Sequence, residues 1–514
     1  MGRHVQLQTF SRADRTRYRD KVRSNLDVLA RMLAESTFEH ETPMTGLEIE
    51  FNLVDSAGDP VMRNAHVLQE IADPDFVTEL GQFNIEINVP PRELAGDGLA
   101  AFERRIRASL NAAEERAAAI GTHLVMIGIL ATLTSDHLTE ETLSADPRYS
   151  LINDQIFAAR GEDMAIQIDG VERLALICDS IAPEAACTSA QFHVQVAPEK
   201  FAPYWNASQA IAGVQIALGA NAPFLFGREL WRETRIPLFE QATDTRADEL
   251  KAQGVRPRVW FGERWITSIF DLFEENVSYF PALLPICDDE DPVEAFESGR
   301  APSLPELTLH NGTIYRWNRP IYAVVDGRPH LRVENRVLPA GPTVADVIAN
   351  AAFYFGLVRT LAEHDRPIWT QMSFNAAEEN FHSGARSGID AMVFWPGLGA
   401  LPVTELVLRR LLPMAADGLD AWGVTPADRD RFLGIIEGRC VSGCNGAAWQ
   451  VAALRHAHPE VPGSNGLPGS NGGRPIAALR DMLREYRERM HSNVPVHQWP
   501  LPGPVPTPRG PSET

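Results

Sequence analysis

Apolar residues recur at intervals of three and four in three stretches of the chain, the spacing that gathers them on one face of an α-helix. Between Arg12 and Ser36 they are Tyr18, Val22, Leu26, Leu29 and Leu33; from Asp97 they are Leu99, Phe102, Ile106 and Leu110; after Pro342 and Thr343 they are Val344, Val347, Ile348, Ala351 and Phe355. Each stretch predicts an amphipathic helix, the arginines of the first forming its solvated face. The most apolar run, Gln209 to Phe226, is interrupted by Gln215, Asn221 and Pro223. It is barely long enough to cross a bilayer, so it predicts a buried helix ending at a proline turn.

Elsewhere the period is two. In GLEIEFNLVD (46–55), Leu47, Ile49, Phe51 and Leu53 share one face and Glu48, Glu50 and Asn52 the other. In ELGQFNIEINVPP (79–91), Phe83, Ile85, Ile87 and Val89 oppose Gln82, Asn84, Glu86 and Asn88, while Glu79 lies beyond a bend expected at Gly81. SAQFHVQV (189–196) sets Phe192, Val194 and Val196 against Gln191, His193 and Gln195, and LRVENRV (331–337) sets Leu331, Val333 and Asn335 against Arg332, Glu334 and Arg336. Such alternation predicts strands with two unlike faces. A solvated antiparallel face also alternates, but it ordinarily mixes Lys, Thr and Ser. These four faces collect Glu, His, Gln, Asn and Arg, with no Lys.

If the strands are neighbours, Glu48, Glu50, Glu79, Glu86 and Glu334 crowd one surface, where two like charges at 4 Å repel by about 4 kcal/mol at an effective dielectric of 20. Cations must share the site. Carboxylate oxygens with one His suit Mg²⁺ or Mn²⁺, and Arg336 beside Glu334 suits a phosphate. The pattern is that of a nucleotide-triphosphate site without a glycine-rich phosphate loop, and neither GxxxxGK[ST] nor a Rossmann fingerprint occurs in the chain.

Charge and composition refine the class. With 47 Lys+Arg against 68 Asp+Glu the net charge is −21, which argues against a nucleic-acid partner. Five scattered cysteines, among them Cys440 and Cys444, point to a reduced, cytoplasmic chain without a disulfide framework. The N-terminus lacks a secretory h-region, and no membrane association is expected. Near the other end PGSNG occurs twice, marking a loop over 457–475; a charged helix is predicted over 476–491, and seven prolines in the last 21 residues predict an extended or disordered tail over 492–514.

Taken in order, GLEIEF, the two Glu of TELGQFNIE, SAQFHV, and VENR followed by PTVADVIANAAFYFGL resemble the glutamate-cysteine ligase type 2 and carboxylate-amine ligase families, over roughly Thr45 to Arg386. The resemblance implies an α+β fold, an antiparallel β-sheet funnel with flanking helices similar to glutamine synthetase and the guanido kinases. The catalytic domain would span 45–456, behind an N-terminal helical segment over 1–44. It further implies metal ligands at Glu48, Glu50, Glu79, Glu86, His193 and Glu334, and a catalytic Arg336. NAPFLFGRELWRETRIPLFEQATDTR resembles a family element with two arginines, here Arg235 and Arg246. Arg235 would join Arg336 in catalysis, and both family arginines would meet nucleotide phosphates or a substrate carboxylate. Arg148 and Tyr149 match an Arg-Tyr element near the amino-acid substrate, and Arg316, Trp317 and Arg319 would form a loop over the pocket or, alternatively, core and surface caps.

The activity implied is ATP- and Mg²⁺-dependent ligation of an amino-acid carboxylate, glutamate first, to an amine such as cysteine through an acyl phosphate. Two alternatives stay open: a guanido-kinase-like phosphotransferase and a non-catalytic nucleotide- or metal-sensing protein. Small amino-acid and amine substrates are the expected partners, and a homo-oligomer is compatible with the sequence. Val337-Leu338-Pro339, where the family often has an acid, leaves the amine acceptor open.

Overall fold

In the computed structural model, which describes residues 10–35, 38–40, 43–457 and 474–501, the alternating segments become strands of one sheet. They are β1 (Thr45–Val54), β2 (Phe76–Thr78), β3 (Asn84–Arg92), β4 (His123–Val125), β5 (Ser189–Val196), β6 (Asn318–Val325) and β7 (Arg328–Pro339). The order is β6-β7-β5-β1-β3-β2, with β4 against the end of β1, and every pairing is antiparallel. The architecture is the expected α+β one.

The apolar face of this sheet needs a cover. Flanking helices are α1 (Arg12–Glu35), α2 (Gly98–Ala119), α3 (Pro198–Gly219), α4 (Val344–Ala362) and α5 (Phe374–Ser387); α3 and α4 pack against the sheet, α2 against β3, β4 and α4, and α5 against α3, while α1 packs on short helices over 269–279, 292–297 and 305–311. In α1 the expected face is buried through Tyr18, Val22, Leu26 and Leu29. The apolar run at Gln209 belongs to α3, which starts earlier, at Pro198, and stops at Gly219, ahead of the turn at Pro223. Among the described residues α4 alone is long and apolar enough to cross a membrane, and 89% of that window is buried inside the protein.

The C-terminal helix α6 (Ile476–Ser492) forms as expected. The residues after it do not behave as an extended tail: Val496 to Gln498 make a 3₁₀ turn, and Val496 and Trp499 are buried. Trp499 packs its ring 5.0 Å from Trp449 and 5.3 Å from Tyr486. Proline content gave no sign of this, because two large apolar side chains decide the matter. The PGSNG loop and the remaining tail lie outside the described residues. All five cysteines are free.

Candidate active site

The polar face of the sheet is not a solvated one. Glu50 is 8% exposed, Glu86 7%, Gln191 3%, His193 6% and Glu334 2%, so the acids lie under cover and must be balanced locally. Register brings them together: Glu50 of β1 stands opposite Glu86 of β3, and Glu334 of β7 opposite His193 of β5. Glu79 follows the end of β2 and reaches the same surface. Six expected ligands thus converge, but as two groups: Glu50, Glu79 and Glu86 in one, Glu48, His193 and Glu334 in the other, each with ligand atoms within 4.8 Å of one another.

The two triads differ electrically. In the first, the Ser189 N–H donates to Glu50 at 2.7 Å, the Ser189 hydroxyl at 2.8 Å and the Gln191 amide at 3.2 Å, which orients that carboxylate. Among the described residues no ion pair reaches this triad, and Arg336 offsets its charge only from a distance. Burial and the neighbouring carboxylates push Glu86 well above the ordinary range and lift Glu79 to about 8, and burial also raises Glu50. In the second triad, Arg319 grips Glu334 with two hydrogen bonds, 2.5 and 2.9 Å, and Arg336 adds a third at 3.3 Å. Against the penalty of burial, these two arginines and His193 hold Glu334 below the usual carboxylate range. His193 does the same for Glu48, against a like penalty, with Nε2 3.1 Å from its carboxylate.

The donor sets fit hard divalent cations, all-oxygen in the first triad and two oxygens with imidazole in the second. The first triad fits without rearrangement, since it is short of positive charge. In the second, Arg332 Nε–H donates to His193 Nδ1 at 3.1 Å, which leaves the neutral ring's proton on Nε2. Ligation through that nitrogen requires Arg332 to release Nδ1.

Beside the first triad opens a cavity lined by Glu50, Glu79, Glu184, Arg235, Arg336 and the aromatic rings of Phe239, Tyr315 and Trp317. Arg235 is buried, with Nε donating to Glu233 at 2.7 Å and an Nη to the Val337 carbonyl at 2.9 Å. Arg246 is engaged away from the cavity lining. Its guanidinium forks onto Asp244 at 2.8 and 2.9 Å and donates to the Val255 carbonyl at 2.7 Å, and it does not line the cavity. A matching family element cannot reveal that a carboxylate two residues away captures the side chain. Tyr149 lies close enough to Glu79 and Glu86 to feel their charge. Trp317 is both core and cavity wall, and Arg316 is held by Glu275 at 2.7 Å. The sequence reading missed Glu184, placed Arg332 on the polar face without a role, and gave Arg319 no role in the acid cluster. Only cross-strand register, which sets Arg319 opposite Glu334, shows that last pairing.

The model of glutamate-cysteine ligase family 2 matches residues 44–449. The chain belongs to that family. Its fold is similar to that of the glutamate-cysteine ligase of Francisella tularensis solved in complex with AMP, with 11% identity over 89% of this chain and 99% of that one and a TM-score of 0.52. A bifunctional glutathione synthetase from Pasteurella multocida is 9% identical over 91% of this chain and 55% of its own, with a TM-score of 0.46. No curated protein sequence matches. Family and fold together mark the chain as a carboxylate-amine ligase.

Proposed function

We propose that this glutamate-cysteine ligase family 2 member couples ATP cleavage to amide formation, activating an amino-acid carboxylate, glutamate first, as an acyl phosphate that an amine such as cysteine then attacks. The observation that carries this reading is the pair of buried triads bracketing Arg336, with the cavity on one side. Glu50, Glu79 and Glu86 would hold one Mg²⁺ or Mn²⁺, and Glu48, His193 and Glu334 a second. Bound there, such ions supply charge neutralisation for phosphate oxygens. The chain's likeness in fold to a ligase solved with AMP supports a nucleotide as the other substrate.

The chain's own residues account for the rest. Arg336 lies within electrostatic reach of Glu48, Glu50 and Glu334 together. Its fixed positive charge would stabilise the oxygens of the phosphoryl group in transfer. Arg235, anchored by Glu233 and the Val337 carbonyl, would set the wall against which the substrate carboxylate is placed. Burial of the site excludes water, which would otherwise hydrolyse an acyl phosphate. Incubation with ATP, Mg²⁺, glutamate and a panel of amines should release phosphate and yield an amide detectable by mass spectrometry. ATP and metal binding without turnover on any amine would overturn the reading.

A further inference from the structure

Resting on that reading, one lining group of the cavity remains unexplained. Its other charged residues are committed: Arg235 to Glu233, Arg316 to Glu275, Arg336 to Glu334, Glu50 to Ser189, and Glu79 to its triad. Glu184 alone has no side-chain hydrogen bond or ion pair among the described residues. It sits in the 3₁₀ turn Ala182–Ala186, whose other members except Glu184 are buried Ala and Pro residues. An acid in so apolar a turn carries an electrostatic cost with no structural return. Burial lifts its carboxyl to about 8, against a partial offset from the charge of Arg336.

The surroundings specify the partner. Phe239 meets Tyr315 edge-on at 5.3 Å and Trp317 at 5.6 Å, and aromatic faces attract cations. Asn84, 2% exposed and also lining the cavity, has an amide oxygen that receives no hydrogen bond. Trp317, 4% exposed, has an indole N–H that finds no acceptor. The cavity offers about 80 Å³, room for roughly half a dozen waters. We infer that Glu184 binds the primary ammonium group of the acceptor amine. With cysteine as acceptor, the ammonium would take Glu184 and the Asn84 oxygen as acceptors, and the carboxylate would take the free indole N–H.

The isosteric Glu184→Gln variant tests this, because it removes the charge and keeps the shape. Cysteine is the cationic probe and hydroxylamine, uncharged at neutral pH, the control nucleophile. With ATP, Mg²⁺ and glutamate, Glu184→Gln should raise the KM for cysteine roughly 10- to 100-fold, the worth of one charge-assisted hydrogen bond, while the KM for ATP holds and hydroxamate formation persists. Glu184→Asp should recover part of the loss. An unchanged cysteine KM, or an equal loss of hydroxamate and amide, overturns the assignment. Calorimetry of cysteine binding to the ATP-analogue complex separates the two levels. If wild type binds cysteine, Glu184→Gln does not, and no amide ever forms, the ligase reading fails and the ammonium site stands. If both bind cysteine alike, the ammonium site fails whatever the turnover.

Discussion

Glu79 and Glu334 show how one chemical group takes opposite characters on one sheet face. Burial, with Glu50 close by, carries Glu79 from 4.5 to about 8. Because the folded value lies above the unfolded one, the contribution of this group to stability is complete below about pH 4.5 and lost as the pH rises through 8. The metal-free protein should therefore lose thermal stability over that interval, and saturating Mg²⁺ should flatten the curve. A cation must also displace the proton, so its affinity should climb with pH up to about 8, with proton release visible by calorimetry in buffers of different ionisation enthalpy. A Tm that ignores pH, or binding without proton release, would contradict the crowding described here. Glu334 is already neutralised by Arg319 and Arg336. A Mn²⁺ titration should thus show a tighter site, weakened about tenfold or more by Glu79→Gln, and a weaker one, tightened by Arg319→Met. A single class of equal sites would contradict it. That Glu48, Glu50, Glu86, His193 and Glu334 share one polar surface was legible in the chain, since alternation and residue type fix which side chains share a face, whereas Glu79 lies beyond the alternating segment. Their division into two triads was not, because Glu50 and Glu86 meet through strand register, and Glu184 stands in a turn with no periodic signature.

At the scale of elements, the face of each strand was readable and the contact between helices was not. Helices α3 and α5 cross where Gly213 and Gly384 meet: a Cβ on Gly213 would lie 2.4 Å from the Asn380 carbonyl carbon, and one on Gly384 2.3 Å from the Gly213 oxygen. Neither glycine has an unusual backbone conformation; each is required by close approach. The crossing matters for the site because the Gln215 amide, two residues beyond Gly213 along α3, donates to Asn335 of β7 at 3.1 Å, next to Glu334 and Arg336. Gly213→Ala must push the helices apart. It should destabilise the protein by about 1–3 kcal/mol and lower turnover through displacement of β7. Denaturant midpoints and steady-state rates check this; a variant of unchanged stability would mean that the helices are not in such close contact. Nothing in the local sequence of Gly213 distinguishes it from a glycine that merely weakens a helix, since the partner backbone is more than 150 residues away.

For the whole molecule, α6 and the turn after it share one core with the sheet. Tyr486 of α6 donates to the Met126 carbonyl at 2.7 Å, just beyond β4, and receives the Asn221 amide at 2.8 Å. Beyond α6, the Val496 N–H donates to Asp346 at 3.1 Å, the acid that Arg439 holds at 2.8 Å with both side chains buried. Trp499 then closes against Trp449 and Tyr486. The segment read from its prolines as a free tail is therefore a clasp over the N-terminus of α4, and its aromatic anchor can be tested directly. Trp499→Ala removes a large side chain that is 6% exposed and should cost about 3–5 kcal/mol. A chain ending at Asn493 should lose at least as much, because the Asp346 carboxylate then keeps Arg439 and Thr343 but loses the Val496 N–H. The clasp touches neither triad, so the folded fraction of each variant should bind Mn²⁺ with wild-type affinity. A Trp499→Ala protein that melts with the wild type would show the clasp to be undocked in solution. One that keeps its stability and loses Mn²⁺ would place the C-terminal segment in the site itself.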